Sequence, residues 1–467
     1  MPLSFTLDPT EPEPLFRQIA SGLRAAITGG RMVAGTRLPS VRALAAQLSV
    51  ATGTVEDAYA LLRAEGAILT RPSAGTVVCG SAGTRIELPE HTPFMFPAES
   101  AVEKAAPLPL QIGLPALDEF PIKAWSKLMV HAVRGLRAEQ LADPDPCGLP
   151  ELRREVAAYL GRARGVACTP EQVLITAGYQ GALALVRSVL VKPGDPVWIE
   201  DPGYLPARQA LEAAGARIVP VRVDRDGMRV AAAKLAAPRA RLAVVTPTHH
   251  YPSGAALSLP RRMELLAWAE EAGARVLEDD YDGEFRYAGR PLPALKSLDR
   301  GQRVLYAGSF SKVLFPALRL GYLVVPPELA AAFVRAARLL TAGQPPLEQS
   351  AVAAFIASGQ FARHIKRMRT LYADRRQALA AALEADGATV EKSPGGMHLL
   401  ARFPGAEDDS VLAKRAAAAG LAPTALSGLT MAHDCGQGLL LGFANIAASD
   451  AETVVTRLLA AIGFSRP

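Results

Sequence analysis

The chain has 467 residues, half of them hydrophobic, and a formal net charge of +6. That balance is ordinary for a globular protein and sets aside disordered, fibrous and membrane-spanning classes. Its apolar runs, such as residues 181–191, are shorter than the ~20 residues that cross a bilayer. The acidic, proline-bearing N terminus is unlike a signal peptide, so a cytoplasmic protein is expected. Cys79, Cys147, Cys168 and Cys435 are scattered, which indicates neither a disulfide framework nor a metal site.

Residues 12–79 read as one small domain. Leu15, Ile19, Leu23 and Ile27 recur at helical spacing, and Gly29-Gly30 stops that helix. Ser40 is a good N-cap for a short helix over Val41–Leu48. Ser49-Val50 makes a turn, and Thr52 caps a third helix that runs to Glu65, with Gly66 as its stop. Two short strands follow, Ile68–Arg71 and residues 76–79, joined by a Pro72-Ser73-Ala74-Gly75 turn. The segments Gly35-Thr36-Arg37-Leu38-Pro39-Ser40-Val41-Arg42-Ala43-Leu44-Ala45 and Thr54-Val55-Glu56-Asp57-Ala58-Tyr59 resemble the winged helix-turn-helix of GntR-type regulators.

That resemblance implies operator DNA as a partner. The start of the third helix, Thr52, Gly53 and Thr54, then enters the major groove. Arg37 and Arg42 can hold phosphates, Arg71 and Thr76 flank the wing tip, and Ser40 and Gly75 complete the candidate DNA-binding set. Seven arginines against six acids in residues 1–80 leave the region nearly neutral, so the DNA reading rests on clustering rather than net charge. Most relatives carry Arg and then Asn where this chain has Thr52 and Gly53. Readout by an arginine fork is lost there, and threonine contacts or DNA shape are expected instead.

Residues 80–107 are rich in proline and lack periodicity, as a linker would be. Beyond them, residues 108–467 alternate apolar runs with helical patterns, and several runs end in polar clusters. Val173-Leu174-Ile175 leads into Thr176-Ala177-Gly178-Tyr179-Gln180-Gly181, where backbone N–H groups at a helix start would face a phosphate. Val197-Trp198-Ile199 leads into Glu200-Asp201-Pro202-Gly203-Tyr204. The strand from Arg275 ends in Glu278-Asp279-Asp280-Tyr281. A carboxylate there would keep a pyridine nitrogen protonated, and spacing alone does not choose among the three. The most informative stretch is Gly308-Ser309-Phe310-Ser311-Lys312-Val313-Leu314-Phe315-Pro316-Ala317-Leu318-Arg319-Leu320-Gly321-Tyr322. Lys312 offers an amine for a Schiff base, while Ser309, Ser311 and Arg319 offer donors to one phosphate. These are the needs of pyridoxal 5'-phosphate (PLP).

This second region closely resembles the fold-type I PLP proteins of the aspartate aminotransferase superfamily. A winged helix-turn-helix joined to such a domain is the layout of the MocR subfamily of GntR regulators. The resemblance implies an α/β domain with a mostly parallel sheet, a smaller α/β C-terminal subdomain, and a homodimer. It selects Asp279 for the ring nitrogen, Tyr281 for the phenolic oxygen and Tyr204 for stacking on the ring. Tyr251, in Pro247-Thr248-His249-His250-Tyr251-Pro252, stands where aminotransferases carry a cofactor-contacting Asn. The adjacent His249 and His250 belong to that loop, and no metal site is expected. Two departures stand out. Asp143 replaces a tyrosine that reaches the phosphate in many relatives, and Leu440, in Gly438-Leu439-Leu440-Leu441-Gly442, replaces the arginine that clamps a substrate α-carboxylate. Lys296, Arg208, Arg402 and His398 are candidates for a substitute anion site. The expectation is a PLP-binding transcriptional regulator rather than an enzyme. Its effector is PLP itself, or an amine or amino acid that forms an external aldimine. The alternative is an aminotransferase with a fused DNA-binding module.

Overall fold

The computed structural model describes residues 7–71, 75–79, 106–289, 292–391 and 393–464. It divides into two compact units, Met1–Glu103 and Lys104–Pro467. Nearly all of the expected linker, residues 80–105, lies outside the described residues.

The first unit packs three helices against a small sheet. Helix α1 (Leu15–Thr28) buries Ile19, Ala20, Leu23 and Ala26. Helix α2 (Val41–Leu48) is capped by Ser40, whose hydroxyl accepts from the Ala43 N–H at 3.2 Å. Helix α3 (Thr52–Ala64) begins at an N-cap of Ala51 and has no side-chain cap. Thr52 is therefore already inside the first turn, not the cap the sequence suggests. The stripes of α1–α3 close one core with Leu38, Leu44, Val55, Tyr59 and Leu62. The Tyr59 hydroxyl donates to the Pro39 carbonyl at 2.8 Å and ties α3 to the entry of α2. Strands β1 (Ile68–Arg71) and β2 (Gly75–Val78) pair antiparallel as the wing. Residues 72–74 of its turn lie outside the described residues. The chain around Arg37 also runs beside β2, through an Arg37–Val77 bridge and Leu38 N–H donating to Thr76 O at 2.8 Å. Sequence periodicity misses this third ribbon because so short a segment carries no alternation to detect.

The second unit is built on an eight-stranded sheet. Its strands are β3 (Val173–Thr176), β4 (Pro196–Asp201), β5 (Arg217–Asp224), β6 (Gly227–Met228), β7 (Leu242–Val245), β8 (Arg275–Asp280), β9 (Val304–Ser309) and β10 (Gly321–Val324). The spatial order is β3-β10-β9-β8-β7-β4-β5-β6. The centre, from β5 through β4, β7 and β8 to β9, is parallel, while β10 runs antiparallel to both of its neighbours. β3 and β7 are buried at every position, as strands covered on both faces by crossover helices must be. A smaller antiparallel sheet follows, made of β11 (Thr389–Val390), β12 (His398–Arg402), β13 (Thr424–Ala425) and β14 (Leu439–Gly442) in the order β11-β12-β14-β13. The expected fold class is the one observed.

Candidate functional site

Parallel α/β sheets present ligands with the carboxyl ends of their strands. Here those ends converge on one cavity of about 300 Å³. Tyr179 and Gln180 reach it from the start of the Gly178–Leu190 helix after β3, and Tyr204 from the turn after β4. Thr246 and Tyr251 follow β7, Asp279 and Tyr281 come from the end of β8, and Ser309, Ser311 and Lys312 from the end of β9. Arg319 enters just ahead of β10.

Strand alternation decides among the three carboxylates of β8. Residues 278 and 280 share one face and 279 takes the other. The Glu278 carboxylate accepts from the N–H groups of Leu295 and Lys296, at 2.7 and 2.8 Å. Asp280 pairs with Arg164 at 2.6 Å and accepts from the Tyr306 hydroxyl at 2.5 Å. Only Asp279 lines the cavity. Burial and the neighbouring Asp280 hold its carboxyl well above the usual carboxylate range. A ring cation beside it would offset both effects.

Lys312 lies at the centre, and its amine donates to the Gly113 carbonyl at 2.8 Å. Burial lowers its pKa, opposed by the charges of Asp282 and Asp279. Gly113 has φ +76°, and a Cβ there would fall 2.4 Å from the lysine Nζ. The lysine can therefore occupy this position only because residue 113 has no side chain. Arg319, itself in the left-handed region at φ 52°, makes no ion pair among the described residues. Its guanidinium lies near Gly178, where a Cβ would sit 3.9 Å from an Nη1 atom. The Gly178–Leu190 helix has no side-chain cap, so its first N–H groups remain available to an anion.

Every cofactor residue named from the sequence lines this cavity except Gly178, which lies just behind Arg319. Ile112, Gly113, Thr246, Pro316 and Met397 complete the wall and were not singled out. Gly113 acts across 199 positions of chain, and only its glycine identity hinted at a close approach. Of the four substitute anion candidates, His398 alone lines the cavity. Lys296 is buried against Val304 O and Asp299, Arg208 pairs with Glu212, and Arg402 pairs with Glu391. Asp143 is exposed and outside the cavity. His249 and His250 serve different partners, Tyr281 and Ser393 for the first, Ser253 and Pro202 O for the second. Leu440 is fully buried with Leu400 and Leu426, behind Ile112. In the first unit, Arg37, Ser40, Arg42, Thr52, Gly53 and Arg71 are exposed, while Thr54, Gly75 and Thr76 are half-buried.

An amine in a glycine-shaped recess, a lone carboxylate opposite it, and an unpaired guanidinium beside a free helix start form a donor set that fits PLP. With the sheet order, they define a fold-type I aminotransferase-like unit. Comparison with known proteins agrees. Residues 109–454 match the family "Aminotransferase class I and II", and residues 15–78 match "Bacterial regulatory proteins, gntR family". The chain is 37% identical to the probable rhizopine catabolism regulatory protein MocR of Rhizobium meliloti, over 94% of this chain and 92% of that one. It is 31% identical to the pyridoxine biosynthesis transcriptional regulator PdxR of Corynebacterium glutamicum, over 94% of each. Among solved structures, the α-aminoadipate aminotransferase LysN of Thermus thermophilus, complexed with N-(5'-phosphopyridoxyl)-L-leucine, superposes with a TM-score of 0.70 at 30% identity. That match covers 76% of this chain and 92% of that one. The chain belongs to the MocR-type transcriptional regulators of the gntR family, which join a helix-turn-helix unit to an aminotransferase-like unit. Among the described residues no helix is long and apolar enough to cross a membrane.

Proposed function

We propose that this protein is a cytoplasmic transcriptional regulator that uses PLP bound in its large unit to sense a ligand state, and not to run transamination. In this reading residues 12–79 contact operator DNA, residues 80–107 link, and residues 108–467 hold the cofactor. PLP supplies an aldehyde that joins an amine and a protonated ring that draws electrons. Lys312 provides the resident amine, and Asp279 keeps a proton at the ring nitrogen. Ser309, Ser311, Arg319 and the N–H groups of residues 178–180 bind the phosphate. Tyr281 and Tyr251 contact the cofactor's substituents, and Tyr204 covers the ring.

The observation that carries the reading is the contrast between Lys312 and Leu440. The amine and its phosphate donors are assembled, while the position of the carboxylate clamp holds a leucine sealed in an apolar cluster. Catalysis on an amino acid needs its carboxylate held in place, whereas sensing the cofactor does not. Similarity to a regulator of pyridoxine biosynthesis fits a PLP effector. Exposed Ile122, Val130 and Val133 on the Ile122–Arg134 helix, with exposed Leu339 and Leu340, fit a homodimer through the large units. Light scattering at micromolar concentration checks this, and a monodisperse monomer refutes it.

The central test titrates operator DNA with apo protein, with PLP, and with PLP plus amines and amino acids. PLP alone is expected to change affinity or footprint, which requires differential affinity for the two states. Turnover of an amino donor at rates on the order of 1 per second would make the protein an enzyme instead.

A further inference from the structure

A second cavity of about 300 Å³ is lined by Tyr159, Arg164, Glu284, Arg286, Gly289 and Arg369, among others. It shares no lining residue with the Lys312 cavity. Tyr159 belongs to the Pro150–Ala163 helix, which Arg164 follows, and Arg369 to the Gln360–Ala385 helix. Glu284, Arg286 and Gly289 lie on the chain that leaves β8. The volume is at the small end of the range for ligand sites.

The three arginines of this cavity are in different states. Arg164 is fully engaged. Its Nε donates to Asp280, its Nη1 to Gly283 O and Leu292 O at 3.2 and 3.3 Å, and its Nη2 to Thr248 Oγ1 at 3.0 Å. With Asp280, 2.6 Å from Nη2, it makes a neutral buried pair. Arg286 is not engaged. Its Nε is buried with no hydrogen-bond partner, and among the described residues no carboxylate pairs with it. The guanidinium lies beside Gly289, where a Cβ would come 3.4 Å from Nη2. Arg369 donates its Nε to the Glu284 carbonyl at 2.5 Å, and its Nη groups have no described partner. A buried donor left without an acceptor is costly and marks a place where an acceptor is missing. One carboxylate shares the cavity. Glu284 Oε1 accepts from the Tyr159 hydroxyl at 2.7 Å, and no described group donates to Oε2. Burial, and then the charge of Asp280, raises the pKa of this carboxyl. Two guanidinia against one carboxylate leave positive charge in excess.

We propose that this second cavity binds a phosphate group, free or on a small monoester, held by the Arg286 and Arg369 guanidinia with Glu284 Oε2 sharing its proton. Guanidinium forks suit the oxygens of a tetrahedral oxyanion. The carboxylate decides which oxyanion. It would repel an anion that brings no proton, because two acceptors would then face each other. A phosphate group has its second pKa near 6 and carries or takes up that proton at small cost near neutral pH. Sulfate, with the same shape and charge, has none to share. The inference is independent of the PLP reading, since none of these residues touches the Lys312 cavity.

The experiment is calorimetric titration of the full-length protein at pH 7, with PLP present in excess so that phosphate does not enter beside Arg319. The ligands are inorganic phosphate, ethyl phosphate and sulfate. Inorganic phosphate or ethyl phosphate is expected to bind at least about tenfold more tightly than sulfate, the discrimination typical of a site whose buried polar group would otherwise stay unpaired. The tighter of the two identifies the source, free anion or monoester. Arg286→Gln and Arg369→Gln should each weaken that binding by about tenfold or more. Glu284→Gln, whose amide can donate to either anion, should bring phosphate and sulfate close to equal. Sulfate binding as tightly as both phosphates overturns the proposal. So does failure of both phosphates to bind, or binding that survives both arginine substitutions unchanged. If Glu284→Gln melts early, the wild-type preference over sulfate and the two arginine variants decide.

Discussion

Gly113→Ala tests the geometry around the lysine directly. At φ +76° an alanine is strained by about 1–2 kcal/mol, because its Cβ crowds the backbone. The new Cβ would also lie 2.4 Å from Lys312 Nζ, where ordinary contact begins near 3.4 Å. The amine must therefore retreat by about 1 Å and give up its bond to the Gly113 carbonyl, which contributes about 1 kcal/mol. Together these predict a loss of about 2–3 kcal/mol in folding stability, read by urea denaturation of the apo protein. A reacting group displaced by about 1 Å loses on the order of a hundredfold in efficiency. Covalent capture of PLP, followed by borohydride reduction and mass measurement, should slow by about that factor. A variant that traps PLP at the wild-type rate would refute the placement of Lys312 beside Gly113.

Lys312→Ala should bind PLP only reversibly, leaving no cofactor mass after borohydride reduction. Arg319→Ala should weaken retention by about 1.5–3 kcal/mol, the contribution of a charged hydrogen-bonding group, while saturating PLP still forms the reducible adduct. Arg42→Ala should lower affinity for all DNA sequences alike and flatten the salt dependence by about one unit, whereas Thr54→Ala should mainly reduce discrimination in a competition assay. Acid should destabilise the fold through His250 and His398, whose pKa values burial lowers from 6.5 to about 3 and about 4. Below pH 6.5 the unfolded chain takes up protons that these folded imidazoles refuse, so stability falls with pH. At pH 5 each contributes a loss of about 2 kcal/mol relative to pH 7. Denaturation at both pH values checks this, and a His398→Gln variant with an unchanged acid slope contradicts it.

The parts of this protein legible from sequence are those where chemistry and local structure coincide. Ser309, Ser311, Lys312 and Arg319 fall within eleven residues, and each strand end supplies its polar group immediately after an apolar run. Ser40 is legible as a cap because an N-cap is a local device. Thr52 misleads for the same reason: Ala51 takes the cap position without a side-chain bond, and a threonine one residue later looks like a better candidate. Asp279 needs the strand itself, since only β8's alternation turns 278 and 280 away from the cavity. Gly113, Thr246 and Met397 need the tertiary fold. Each is an ordinary residue in an ordinary segment until packing brings it to the cavity that Lys312 lines. Leu440 shows how the two levels combine. By resemblance the sequence places a leucine where a carboxylate-clamping arginine is expected, and that alone would leave room for a substitute cation. The structure removes three of the four candidates by burying or pairing Lys296, Arg208 and Arg402 elsewhere. The fourth, His398, already donates its Nε2 proton to Pro252 O.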